Sequence, residues 1–183
     1  MAKGQEQAAA DAVLTRIGQV AMLHHAGDRE EARHRYLALW QEIGERGDPL
    51  HRCTLAHYLA DTQDDPAEEL AWDLRALSAA EELTEGRLAD RHEGTPAARA
   101  LYPSLHLNLA ADYDRLGHRE AARQHLRRAR AAADSLAPGR YGEGVRASID
   151  RLELRLDGVG PCTDGPDRPD GPEGWGRPPR QRP

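Results

Sequence analysis

Two apolar stripes joined by a single glycine constrain this chain more than any other feature. In Leu105–Arg130, LHLNLAADYDRLGHREAARQHLRRAR, apolar or small residues fall at Leu105, Leu109, Ala110, Tyr113 and Leu116. That spacing is the period of a helix with one buried face. Gly117 follows, the residue type that most readily ends a helix in a left-handed turn. A second stripe runs through Ala122, Leu126, Ala129 and Ala133. Two helices joined by so short a turn must double back on each other as an αα-hairpin.

The same offsets recur upstream. Gly27 ends a first helix expected from about Gln7 to Ala26, striped by Val13, Ile17, Val20 and Leu23, with Leu14 at its edge. Counting from Gly27 as from Gly117, Val20 stands for Ala110, Leu23 for Tyr113, Ala32 for Ala122 and Tyr36 for Leu126. Gln19 stands where Leu109 would be, as expected of a terminal unit whose outer face meets water. Asp28, with Glu31 three residues on, has the form of a capping box. A further unit lies between. His51–Thr62 reads as a helix carrying Leu55, Ala56 and Leu59. Asp64-Asp65-Pro66 opens its partner, with acids and proline suited to a helix start. Leu70, Leu74 and Leu77 are expected at the places of Ala122, Leu126 and Ala129, after a turn about two residues longer. Residues 84–94 break the period and are expected to hold a helix end and a loop. A helix start is expected at Thr95-Pro96, with a kink or restart at Pro103. A last helix from about Tyr141 to Asp157 has Val145, Ile149, Leu152 and Leu156 on one face.

These spacings resemble the tetratricopeptide repeat (TPR), a helix–turn–helix unit of 34 residues. The resemblance spans about residues 10–157. It implies an all-α fold, a right-handed TPR-like α-solenoid of three helical hairpins plus a C-terminal capping helix. Composition agrees with the helical class. Apolar residues make up 39% of the chain, Phe is absent and Ala dominates the apolar set. Alanine favours helix and lets helices approach closely. No stretch alternates apolar and polar residues at period two, so no sheet is expected. Residues 1–157 are read as the helical repeat domain. Residues 158–183 hold 7 Pro and 6 Gly and are expected to be a disordered tail. Its end, RPPRQRP, is basic and proline-rich, a composition that a polyproline ligand shares but that an unselected tail fits better.

The resemblance also implies a function: binding of a protein or peptide in a concave groove lined by the first helix of each hairpin. Carried onto this chain, the groove offsets fall on Leu14, Ile17, Gly18, Ala21, His24 and His25. In the second hairpin they fall on Cys53, Thr54, His57, Ala60 and Asp61. In the third they fall on Ser104, Leu107, Asn108, Ala111, Asp114 and Arg115. Asn108 matches an asparagine of the carboxylate clamp, whose amide can pair with a ligand backbone through donor and acceptor. The other clamp residues are missing apart from Arg115, so a chaperone-tail clamp is not expected. Asn108, His57, Asp61, Arg115, His24 and Ser104 are the candidate binding residues.

Cys53, His57 and Asp61 form a row on successive turns of one helix. Its ends lie about 12 Å apart along the axis, too far for one metal ion or one catalytic set. A metal- or small-molecule-responsive sensor, with His24, His25, Cys53 and His57 around one pocket, is the alternative reading. No Gly-rich phosphate loop, H-E-x-x-H or G-x-S-x-G occurs, so neither catalytic residues nor a cofactor is expected.

A net charge of −6 argues against nucleic acid as a partner. Two cysteines form no disulfide framework, and the first residues lack the pattern of a signal peptide. No apolar run is long enough to cross a membrane. A cytoplasmic setting is therefore expected. Charge is uneven: residues 61–94 carry 11 acids and 3 bases, and residues 118–157 carry 9 Arg and 6 acids. Such a layout suits head-to-tail association. A homodimer through the first hairpin is a further expectation.

Overall fold

The computed structural model describes residues 2–89 and 96–158, with side chains described for residues 12–84 and 101–158. Within these bounds the chain is all-helical: α1 (Ala2–His25), α2 (Arg29–Ile43), α3 (Pro49–Asp61), α4 (Pro66–Ala89), α5 (Pro96–Arg115), α6 (Arg119–Ala133) and α7 (Arg140–Leu156). Residues 159–183 of the expected tail, with Cys162, and residues 90–94 of the stretch expected to hold a loop lie outside the described residues. The helix end expected within residues 84–94 falls at Ala89.

Helices α1 and α2, α3 and α4, and α5 and α6 pack as hairpins. Each hairpin then meets the next through α2 against α3 and α4 against α5, and α6 is followed by α7. Helix α1 also touches α3, and α5 touches α7. Three apolar clusters follow one another along the chain. The first joins Ile17, Val20, Tyr36 and Leu59 across α1, α2 and α3. The second joins Cys53, Ala56, Ala76, Ala80 and Leu105 across α3, α4 and α5. The third joins Leu107, Ala122, Leu126, Ile149 and Leu156 across α5, α6 and α7.

The first and third hairpins have nearly the same turn. Gly27 has φ 100° and Gly117 has φ 80°, the left-handed region that glycine enters without a side-chain clash. Each is followed by a cap of matching geometry, Asp28 at φ −84°, ψ 60° and His118 at φ −87°, ψ 62°. The Asp28 N–H donates to Leu23 O at 3.1 Å, and the His118 N–H donates to Tyr113 O at 2.8 Å. The buried stripes keep the same intervals, Ala32, Tyr36 and Leu39 against Ala122, Leu126 and Ala129.

Three local expectations are corrected. Asp28 makes no side-chain capping bond. Its backbone is already held by Leu23, and Glu31 pairs with Arg35 at 2.7 Å instead of reaching back. Helix α5 runs through Pro103 without a restart. In α4 only Leu77 of the expected leucine stripe is buried. Leu74 is 40% exposed, whereas Glu69, Asp73, Ala76 and Ala80 are buried. Those four repeat the intervals of Ala122, Leu126, Ala129 and Ala133. Glu69 lies thirteen residues after Ala56, against twelve from Ala110 to Ala122, so the turn is one residue longer, not two.

Trp72, off the stripe, meets Trp40 of α2 edge-to-face at 5.1 Å and carries Arg75 over its ring at 4.8 Å. Tyr36 is fully buried and stacks on Tyr58 at 5.7 Å. Its hydroxyl has no hydrogen-bond partner among the described residues. A buried hydroxyl left without a partner costs about 1–3 kcal/mol. Tyr36→Phe keeps the stack and removes that cost. Urea denaturation is expected to show a gain of about 1 kcal/mol.

Candidate functional site: a buried polar seam

On α5, Asn108, Asp112 and Arg115 are spaced four and three apart, so they share one face. On α4, Glu69 and Asp73 are one turn apart, as are His57 and Asp61 on α3. Packing of α4 on both α3 and α5 brings these rows together. The Asn108 Nδ2 lies 3.3 Å from His57 Nδ1. The amide donates there, which leaves Nδ1 unprotonated and puts the ring proton on Nε2. His57 Nδ1 is 3.7 Å from Asp73 Oδ1. Asp112 and Asn108 act in turn on the Asp73 carboxyl. Arg115 donates to Asp112 Oδ1 at 2.7 Å and also to Glu69.

The seam is nearly dry. Asp73 is 0% exposed, Asn108 and Asp112 are 1% exposed and Glu69 is 4% exposed. A buried carboxylate is costly, so burial favours the protonated form. Burial, followed by the charge of Asp61, raises Asp73 well above the usual carboxylate range, against the pull of Asp112, Asn108 and Arg115. Burial, then the adjacent Asp73, pushes Asp112 up to about 8, although Arg115 opposes the shift.

The seam gathers Asn108, His57 and Arg115, and Asp61 acts on it through its charge. Ser104 and His24 do not belong to the seam's hydrogen bonds described above. Ser104 is buried, donates to Leu101 O at 2.8 Å and accepts from Tyr141 Oη at 3.3 Å, which ties α5 to α7. His24 stands in the last turn of α1, its ring 6.0 Å from that of His25. Most groove offsets on α3 and α5 are covered by neighbouring helices. Thr54, Asp61 and Asp114 remain half-buried and Arg115 reaches solvent.

Cys53 packs in the alanine-rich cluster. Burial, helped by Asp73, pushes its thiol up to about 12, so it stays protonated and weakly nucleophilic. No group of three or more His, Cys, Asp or Glu among the described residues could hold a metal ion. No described helix is long and apolar enough to cross a membrane.

Two other clusters lie outside the seam. His106 Nδ1 is 3.2 Å from His125 Nδ1 across α5 and α6, and Tyr113 stacks on His125 at 5.4 Å. Burial, then His125 and Arg128, lowers His106 to about 4, and burial with Arg128 lowers His125 too. Both rings are therefore neutral near pH 7. A cleft of about 200 Å³ between α6 and α7 is lined by Arg123, Arg127, Arg130, Leu126, Leu156, Glu153 and Asp157. Its cations are engaged. Arg119 and Arg123 donate to Leu156 O at 2.8 and 3.1 Å, and Arg130 pairs with Asp150 and Glu153 at 2.7 and 2.5 Å. The first two cap the end of α7, where carbonyls lack helical partners.

Comparison with protein-family models, with curated proteins and with solved structures gives no match.

Glu69, Asp73 and Asp112 were missed by reasoning from apolar spacing. The signal was present in the charges. Asn108, Asp112 and Arg115 form a polar face on α5, and Glu69 and Asp73 offer acids at helical spacing on the helix packed against it.

Proposed function

We propose that the chain is a TPR-like helical repeat protein that binds a protein or peptide partner without catalysing a reaction. The observation that carries this reading is the repeated hairpin, with matching turn angles at Gly27 and Gly117 and matching buried intervals after them. Stacked hairpins offer a continuous surface built from equivalent positions, and binding of extended partners is what such surfaces suit. In this reading the partner lies along α1, α3 and α5. Asp61 and Arg115 supply opposite charges at the mouth of the seam. Asn108 and His57 lie beneath that mouth, covered by neighbouring helices, and His24 extends the surface along α1. Self-association through the first hairpin, where Met22 is 51% and Leu37 is 37% exposed, belongs to the same reading.

Affinity capture with the full chain tests it. Wild type is compared with the double variant Asn108→Ala plus His57→Ala, and with Asp61→Lys, each checked for helix content by circular dichroism. A partner lost at least tenfold by both folded variants is the expected result. A partner retained equally by wild type and both variants removes the groove from this face.

A further inference from the structure

Helices α5 and α6 each turn one histidine toward the other. His106 stands two residues before Asn108, about 200° round the helix from it, so it belongs to a different joint from the seam. His125 stands beside Leu126 on α6. The two Nδ1 atoms are 3.2 Å apart, and the rings lie 5.3 Å apart at an angle of 52°. Each ring has an aromatic neighbour that fixes its orientation. Tyr113 stacks on His125 at 5.4 Å, and Tyr102 meets His106 at 6.3 Å. His106 is buried, whereas His125 is half-buried and leaves its side of the pair within reach of water.

We propose that His106 and His125 form a two-imidazole binding site for a divalent transition-metal ion, which pins α5 to α6 within the third hairpin.

The spacing fits such an ion. Metal-to-imidazole bonds of about 2.0–2.1 Å put two nitrogens about 2.9–3.4 Å apart, for angles between square and tetrahedral. The observed 3.2 Å falls inside that range without movement of either ring. The same nitrogen, Nδ1, is presented from both sides. For these atoms to hydrogen-bond to each other, one ring must carry its proton on Nδ1 and the other on Nε2. With both protons on Nε2, two lone pairs face one another, which is the arrangement a chelate requires.

The donors select the ion. The pair contributes two nitrogens and no carboxylate, a poor offer to Mg2+ or Ca2+, which take oxygen ligands. Imidazole suits Zn2+, Ni2+ and Cu2+. Arg128 is a cation whose charge reaches both rings. It opposes a bound ion, but it is exposed, and salt water screens it. Two protein ligands are fewer than catalytic or structural zinc sites supply. Water therefore completes the shell, and the ion exchanges with the medium. Loading then follows the supply of metal, in the third hairpin and not around His24, His25, Cys53 and His57.

Calorimetric titration of the metal-free full chain with Ni2+ and with Zn2+ tests the site. One ion per chain is expected, with no response to Mg2+. His125→Gln, and separately His106→Gln, are expected to weaken binding at least about tenfold, a loss that even residues supporting a ligand produce. The double variant His34→Gln plus His118→Gln, which alters two exposed histidines, is expected to bind as wild type does. Binding that survives both single substitutions, or no binding at millimolar ion, overturns the proposal. Should His106→Gln lose its helix content, NMR of the wild-type imidazoles decides. Zn2+ is expected to shift the ring nitrogens of His106 and His125 together. Shifts confined to other histidines, or a proton retained on Nδ1 of either ring at saturating Zn2+, overturn it.

Discussion

Arg115→Met is expected to destabilise the chain by about 3 kcal/mol at pH 8, and by clearly less at pH 5. The guanidinium is partly open to water, with a side-chain exposure of 35%, but its partners are not. Glu69 and Asp112 have side-chain exposures of 5% and 1%. Methionine preserves the aliphatic stem, so packing along α5 changes little. What is lost is the positive charge that two buried acids share. Removing one member of a buried ion cluster exposes the rest to the full cost of burial. The pH dependence has a definite sign. Asp112 is already held above the ordinary carboxylate range against the pull of Arg115, and without Arg115 it rises further. Its contribution to stability is then present in acid and lost as pH rises. Urea melts of wild type and variant at the two pH values measure the difference. A deficit that is equal at pH 5 and pH 8 would show that Arg115 acts by packing and not by charge.

The second large effect lies at the other end of the array. Ile149→Ala is expected to cost about 3 kcal/mol. Ile149 is 1% exposed and packs in one cluster with Leu107, Ala111, Leu126 and Ala129 of α5 and α6. Helix α7 has no partner hairpin beyond it among the described residues. Its hold on α5 and α6 rests on Val145, Ile149, Leu152 and Leu156, with Tyr141 and Arg155 adding bonds to Ser104 and Asp114. Removing the central member leaves a cavity that short alanine neighbours cannot fill. Denaturation followed by circular dichroism gives the size of the loss. A cost below about 1 kcal/mol would mean that α7 lies on the domain without being part of its core.

Most of the fold could be read from apolar spacing, and the reason is the glycine-marked turn. Gly27 and Gly117 fix where one helix stops, and the buried residues on either side then follow by counting. Where the turn lacks that glycine, counting fails. Between α3 and α4 the leucines Leu70 and Leu74 were expected inside, yet Glu69 and Asp73 take the buried places. Apolar spacing cannot find a stripe whose first two members are charged. Only the helix opposite explains it, because Asn108, Asp112 and Arg115 satisfy acids that would otherwise never be buried. Asn108, His57 and Arg115 were legible as a group because they share one helical face or adjoining faces. Their immersion was not legible, since whether a groove position is open or covered depends on how closely the next helix approaches.

The acids of α4 also bear on the order in which the units are assembled. Joints made of alanine and leucine accept one another readily, and hairpins of such similar build could pair out of sequence or slide by a turn. The joint between the second and third hairpins does not permit this. Sliding α4 along α5 by one turn would carry Asp73 away from Asp112 and Asn108, and Glu69 away from Arg115. Ionised groups would be left facing hydrocarbon. This one joint thus works as a key, matching a single lock and setting the place of every other unit by its own.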